Sequence, residues 1–523
     1  MAASHNLVFP VEIFSQIIDR ASERHPNYYG FLSEEQVATL GACGLTCRFL
    51  HHLSRPQLFR RVGLQFSNRL VDLMDLLESH PDIKKEIQEV RVFFGNSQWL
   101  NDEVYDKFTK HSEHPSKLPA VRYLSMMDGD IYTEGGRVLA RPSRISRTIL
   151  DFCQKIIQSY VKLPTFRSLD IEYNFRAKIL PYTALHDPIP TLTELRLVDI
   201  DSSSDPELSS YVLPHLGNLQ RLTIEDCSRT FMRLISKSTS ITDLSLGGDF
   251  ELFESLPTPT FKLSTLDLRP TDKIEENYLT SGLDFLCKTN QLGFKPIAWL
   301  RNLSITIIVV PDDLITVNRM FEDLKYLQSL SVTLSSTFTT TQDLDNGISF
   351  SDLELERHIK SSFPSLTSFS FSFPHDTTDP ILPKFVDLFS SLTSAQELRE
   401  VKIMISIVIP GKDGPLYDAT TLPSLISIIS CSMDIKRLEH LEITLEFSVP
   451  WKDSISNIPI LSDEMFLREW RSCVLAMERS KNIVLHLCCY PTRTLHTERN
   501  RYFTTSQSAC ISFYPKQAKR PSV

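Results

Sequence analysis

Apolar residues recur along the chain in one short pattern, apolar-x-x-apolar-x-apolar, whose fullest form is Leu219-x-x-Leu222-x-Ile224-x-x-Cys227. The same pattern occurs earlier at Val121/Leu124/Met126, Phe166/Leu169/Ile171 and Leu192/Leu195/Leu197. It follows at Ile241/Leu244/Leu246, Leu263/Leu266/Leu268, Leu300/Leu303/Ile305 and Leu327/Leu330/Val332, then at Leu366/Phe369/Phe371, Leu398/Val401/Ile403 and Leu438/Leu441/Ile443. Two apolar residues separated by one polar residue predict a short strand, because successive side chains of a strand point to opposite faces. The preceding apolar residue anchors the turn into it. One such unit cannot bury its own apolar face, so the units must stack, strand beside strand, into a parallel sheet.

From Leu169 to Leu266 the second position of the pattern advances by 26, 27, 22 and 22 residues, within the roughly 20 to 29 of a leucine-rich repeat. Further on the steps are 37, 27, 39, 32 and 40, so those units carry extra helices or loops. Helical spacing fills some return segments: Leu314, Val317, Phe321 and Leu324; Phe385, Leu388, Phe389 and Leu392; Phe466, Trp470, Cys473, Val474 and Met477. The expected fold is α/β, an irregular leucine-rich-repeat solenoid with a curved parallel sheet inside and helices and loops outside. A doubly wound α/β domain also alternates strand and helix, but it favours longer apolar strands and Gly-rich turns, and the chain has only 16 glycines. Weakly apolar stretches at 128–147, 201–210, 335–349 and 411–421 mark expected insertions.

The first part of the chain reads differently. Ile13, Ile17 and Ile18 fall on one helical face after Pro10, a first-turn proline, and Val37, Leu40 and Cys43 fall on another. Leu45-Thr46-Cys47-Arg48-Phe49 with Leu53 predicts a third helix closed by Pro56, before Leu58-Phe59-Arg60-Arg61-Val62 leads into a strand-like Leu64-x-Phe66. The expected organisation is therefore a helical module over 1–62, the repeats over 63–490 and an irregular tail over 491–523.

This first segment resembles an F-box. Phe9-Pro10-Val11-Glu12-Ile13 stands for the family's Leu-Pro, acidic residue and apolar helix, and Leu45-Thr46-Cys47-Arg48-Phe49 for its hydrophobic-x-Cys-Arg. Leu58-Phe59-Arg60-Arg61-Val62 looks like the stretch that replaces the usual tryptophan in fungal F-box-like proteins. The resemblance implies an apolar surface of Phe9, Pro10, Ile13, Ile17, Leu40, Cys43 and Leu45 that docks on a Skp-type adaptor of a cullin ubiquitin ligase. The alternative is that these residues form the apolar cap that a solenoid needs over its first repeat.

Composition narrows the picture further. In 523 residues, 41% hydrophobic and 23% charged, there is material for more than one core. A net charge of -9 argues against a nucleic-acid partner. The start, Met1-Ala2-Ala3-Ser4-His5-Asn6, has no basic stretch ahead of an apolar one and does not read as a signal peptide. The apolar runs at 305–310 and 403–409 fall far short of the roughly 20 residues of a membrane span. Ten cysteines occur without a C-x-x-C pair, so a reduced, cytoplasmic or nuclear setting is expected.

Chemistry has no local signature: no phosphate-binding, dinucleotide, nucleophile-elbow or zinc-protease motif occurs, and no cofactor or metal is expected. His51-His52 diverge on a helix and read as solvated surface; His111-x-x-His114 reads as loop. Of Cys488 and Cys489, which follow the strand Ile483, Leu485, Leu487, one should face the core. Strand alternation turns Arg196, Thr223, Ser245, Asp267, Ser304 and Glu442 outward, where they would meet a target protein. The expected function is thus target recognition within a Skp-cullin-F-box ligase, without catalysis by this chain. The alternative is a repeat scaffold with no ligase connection.

Overall fold

In the computed structural model the described residues are 11–22, 32, 34–65, 75–93, 118–127, 157–172, 189–198, 217–227, 235, 238–248, 258–270, 278–307, 311–334, 354–375, 386, 388–390, 392, 395–408, 435, 437–450, 482–492 and 509–513. The insertions expected at 128–147, 201–210, 335–349 and 411–421, the helix expected over 466–477, and Phe385, His111 and His114 lie outside them. The fold is α/β, and the chain divides into two compact units, residues 1–234 and 235–523.

The first unit opens with three helices, α1 (Val11–Ala21), α2 (Glu34–Thr46) and α3 (Arg48–Phe59). Strands β1 (Arg61–Gln65), β2 (Glu89–Phe93), β3 (Tyr123–Met127), β4 (Ser168–Glu172), β5 (Glu194–Val198) and β6 (Arg221–Glu225) follow. Each pairs in parallel with the next. The second unit holds β7 (Asp243–Gly248), β8 (Thr265–Pro270), β9 (Asn302–Ile307), β10 (Ser329–Leu334), β11 (Ser368–His375), β12 (Glu400–Val408), β13 (His440–Pro450) and β14 (Asn482–Thr492). These also run parallel in chain order. Within either unit the strand order never reverses, which excludes a doubly wound sheet and is the arrangement a solenoid requires.

Every residue of the eleven apolar triplets read from the sequence is buried. In register, Leu124, Leu169, Leu195 and Leu222 form one apolar row and Met126, Ile171, Leu197 and Ile224 the next. A fully buried leucine contributes about 2 kcal/mol, and here each packs beside its register neighbours in the row. The backbone is accounted for just as regularly. Before each strand, one carbonyl accepts two consecutive N–H groups of the following unit at 2.7–3.2 Å: Arg60, Gln88, Arg122, Arg167 and Thr193 in the first unit, and Thr242, Ser264, Arg301, Gln328, Thr367 and Arg399 in the second.

In the second unit α4 (Tyr278–Cys287) packs on α5 (Pro311–Glu322), and α5 on α6 (Leu355–Ser361). Leu314, Val317, Phe321 and Leu324 are buried as their spacing predicts, as are Leu388, Phe389 and Leu392.

Two expectations need correction. Pro56 does not close the third helix: α3 runs through it to Phe59, because losing one N–H donor near the last turn removes a single bond and the helix still closes through Arg60 N–H to Pro56 O. Within the range expected for the repeats, Ile87, Val90 and Val92 add a unit of the same pattern and are buried, and β1 starts two residues after α3. The segment after Tyr490 is not wholly irregular either, because β14 extends to Thr492 and β15 (Ala509–Phe513) pairs with it antiparallel.

Candidate functional site

The three helices sort their apolar residues into two groups. Ile18 and Leu40 are buried at 2% and 0% exposure and hold the helices together. Ile13 (40% exposed), Ile17 (52%), Val37, Leu45 (90%) and Phe49 remain on the surface. Ile13 and Ile17 are neighbours one turn apart on α1, and Phe14 meets Phe49 edge-on with ring centres 6.0 Å apart. Leu40 therefore lies inside the module rather than on the expected docking surface. Cys43 is half-buried, and Phe9 and Pro10 lie outside the described residues. Gly44 serves packing: a Cβ there would stand 2.9 Å from the buried Ser54 hydroxyl of α3. The basic residues Arg48, His51, His52, Arg55, Arg60 and Arg61 follow one another closely in the sequence, and three of them are paired within the chain, Arg55 with Asp82 and Arg60 and Arg61 with Glu89. Of the remainder, Arg48, His51 and His52 are exposed.

The polar face of the strands carries the expected target-binding residues in ordered rows. In the first unit Arg91, Ser125, Asp170, Arg196 and Thr223 are register neighbours across β2 to β6. Asp170 is the centre of this row. Its Oδ2 accepts hydrogen bonds from Tyr123 at 2.7 Å and Ser125 at 3.3 Å, and its Oδ1 lies 3.1 Å from Arg196. Arg196 also reaches Glu172 at 3.0 Å and Glu225 at 3.7 Å. Burial works against its charge, but Asp170, Glu172 and Glu225 outweigh that and hold the guanidinium protonated. Burial, reinforced by the Asp170 charge, pushes the Tyr123 hydroxyl well above the usual phenol range. Arg196 is thus committed to its own carboxylates, whereas Thr223 is half-buried on the same row.

In the second unit Ser245, Asp267, Ser304, Ser331, Ser370, Lys402 and Glu442 form the equivalent row. Asp267 accepts a hydrogen bond from Ser245 and pairs with Arg269 at 2.6 Å. Lys402 bridges Glu400 at 3.1 Å and Glu442 at 3.6 Å. The bond from Glu400 leads in raising the Lys402 pKa. Between these charged ends lies an uncharged field of half-buried hydroxyls, among them Ser304, Ser331, Ser370, Thr306 and Thr333. The structure brings Ser245, Asp267 and Ser304 together on adjacent strands and sets Glu442 at the far side of that field.

Asp170 and Tyr123 were not singled out in the sequence, because alternation identifies a face but not the side chains that meet across strands. A second group was also missed: Trp299 and Tyr326, exposed just before the buried anchors Leu300 and Leu327. An aromatic residue at an otherwise polar position of a repeat was the available signal.

Among the described residues no helix is long and apolar enough to cross a membrane, and no group of three or more His, Cys, Asp or Glu is placed to hold a metal ion. His51 and His52 are exposed, with ring centres 6.1 Å apart. In the β13–β14 register Cys489 falls level with Phe447 and Cys488 with Glu446. No protein-family model matches the chain, and no curated protein matches it.

Proposed function

We propose that this chain is a target-recognition subunit of a Skp-cullin-F-box type ubiquitin ligase, a leucine-rich-repeat solenoid carried behind an F-box-like helical module. The observation that carries the reading is the exposure of Ile13, Ile17, Val37, Leu45 and Phe49 on a module whose neighbouring strands bury every residue of their apolar triplets. Exposed large apolar side chains gathered on one small module favour a docking surface over a sealed cap. On this reading the polar strand face holds a target, and the chain contributes proximity rather than bond chemistry. Cytoplasmic or nuclear residence would follow from such a role.

A scaffold without a ligase connection is the second reading. It is favoured by the way α3 runs into the first strand unit, with the Arg60 carbonyl accepting from Gln88 and Glu89, as a built-in cap would.

Co-purification of the full chain with a Skp-type adaptor separates the two. Wild type should bind, and Ile13→Asp combined with Ile17→Asp should abolish binding while circular dichroism and thermal unfolding stay at wild-type values. Absence of binding by the folded wild type overturns the ligase reading and leaves the scaffold.

A further inference from the structure

Trp299 and Tyr326 hold the same place in consecutive units, four residues before Leu303 and Leu330, and Lys262 holds that place one unit earlier, before Leu266. The two rings lie parallel with centres 5.7 Å apart. Lys262 Nζ sits 4.6 Å from the Trp299 ring centre and 5.4 Å from that of Phe294. In the order of units Trp299 therefore stands between Lys262 and Tyr326, and the stack remains open to solvent, with Trp299 46% and Tyr326 53% exposed.

Leu292, 67% exposed, stands on the turn that carries Phe294, whose ring also meets Lys262. Its presentation is built in. The buried Asn290 side chain donates to Pro259 O at 3.0 Å and accepts from Leu292 N–H at 2.9 Å and Phe294 N–H at 3.3 Å. Gly293 takes φ +80, a conformation suited to glycine. An apolar side chain held out by a preformed turn loses little freedom when it meets a partner.

Among the described residues of these units, Asp284, Glu322 and Asp323 are each matched by a cation while other cations are not. Asp323 is paired with Lys295 at 2.6 Å, Glu322 with Arg357 at 3.3 Å and Asp284 with Arg319 at 3.9 Å. Lys262, Lys288, Arg301 and Lys325 are exposed and have no ion pair among the described residues.

We infer that this turn edge of the second unit is a docking surface for an acidic peptide segment bearing aromatic or branched apolar side chains. The apolar residues of the segment pack against Leu292 and the ring edges of Trp299 and Tyr326, while its carboxylates meet Lys262, Lys288, Arg301 and Lys325. Single-stranded nucleic acid is the less favoured occupant, because it stacks bases on open ring faces and Trp299 has Lys262 and Tyr326 as its neighbours. The inference stands independently of the adaptor reading, which concerns the helices of the first unit.

The test is fluorescence anisotropy of the full chain with short synthetic peptides in which Asp and Glu flank Leu, Phe or Trp, with a charge-reversed Lys/Arg set, and with oligothymidylate. The acidic set should bind. Its affinity should fall about tenfold or more in Trp299→Ser combined with Tyr326→Ser, and likewise in Lys262→Glu combined with Lys325→Glu. The charge-reversal pair lies wholly on the surface and carries the test if the aromatic pair perturbs folding. Acidic peptides that bind no better than the reversed set, binding that survives the variants, or tighter binding of oligothymidylate overturns the proposal.

Discussion

The Tyr123 hydroxyl donates a 2.7 Å hydrogen bond to Oδ2 of Asp170 on the adjacent strand. Asp170 is 6% exposed and also serves Ser125 and Arg196, so it anchors three strands of the polar face. Removing its carboxylate strands several buried donors at once, whereas removing the phenol oxygen loses one bond of a group that keeps others. Asp170→Ala should therefore cost about 2–3 kcal/mol and Tyr123→Phe about 1 kcal/mol. Denaturant unfolding of both variants checks the order; equal costs would show that Asp170 is not the centre of the network.

Neighbouring residues of β10 should respond very differently. Leu330 is fully buried between Leu303 and Phe369, while Ser331 is half-buried on the polar face. Leu330→Ala is expected to cost about 2–5 kcal/mol, and Ser331→Ala to stay within about 0.5 kcal/mol. Comparable losses in chemical denaturation would contradict the assignment of faces.

The strand units were legible because period two places every core residue at a countable position, and stacking gives all units the same geometry. Ile87, Val90 and Val92 carry the same signal and were overlooked beside a less regular segment. The end of α3 was misread because Pro56 is a strong local breaker whose cost, one missing donor, the surrounding helix absorbs. Outward-facing residues were identified as a class, but the pairing of Arg196 with Asp170, Glu172 and Glu225 depends on register across β4, β5 and β6, which spacing along one strand does not give. Leu40 and Ile17 looked equivalent by helical spacing; only the packing of α1, α2 and α3 buries one and exposes the other. The stack of Lys262, Trp299 and Tyr326 arises from the same cross-unit alignment.

Cysteine accessibility offers a separate check on the helices. Cys47 is exposed at the start of α3. Burial, with Asp323 adding to it, pushes the Cys287 thiol up to about 12, and Cys227 is buried after β6. Since the thiolate is the reactive form, iodoacetamide at mildly alkaline pH should modify Cys47 at least about a hundredfold faster than Cys227 or Cys287. Peptide mapping by mass spectrometry reads the three sites separately, and rapid labelling of Cys287 in the native chain would contradict its burial at the end of α4.

His358 should make the second unit acid-sensitive. It lies on α6 at 1% exposure, between Phe321 and Phe363 with ring centres 5.4 and 6.1 Å away, and its Nε2 has no hydrogen-bond partner. Burial first, and then the Arg357 charge, lower its pKa from the ordinary 6.5; Glu354, which precedes α6, and Glu322 of α5 oppose the shift without cancelling it. The folded state thus binds this proton less readily than the unfolded state. Its contribution to stability is fully present above about pH 6.5, falls as the pH drops through that value, and levels off below the folded pKa. His358→Leu removes the titrating group and leaves no buried nitrogen unsatisfied, so at neutral pH its stability should stay within about 1 kcal/mol of wild type. Unfolding free energies measured from neutral to mildly acidic pH should show a steeper loss for wild type than for the leucine variant, and parallel curves would mean that His358 is protonated as easily in the folded chain as in water.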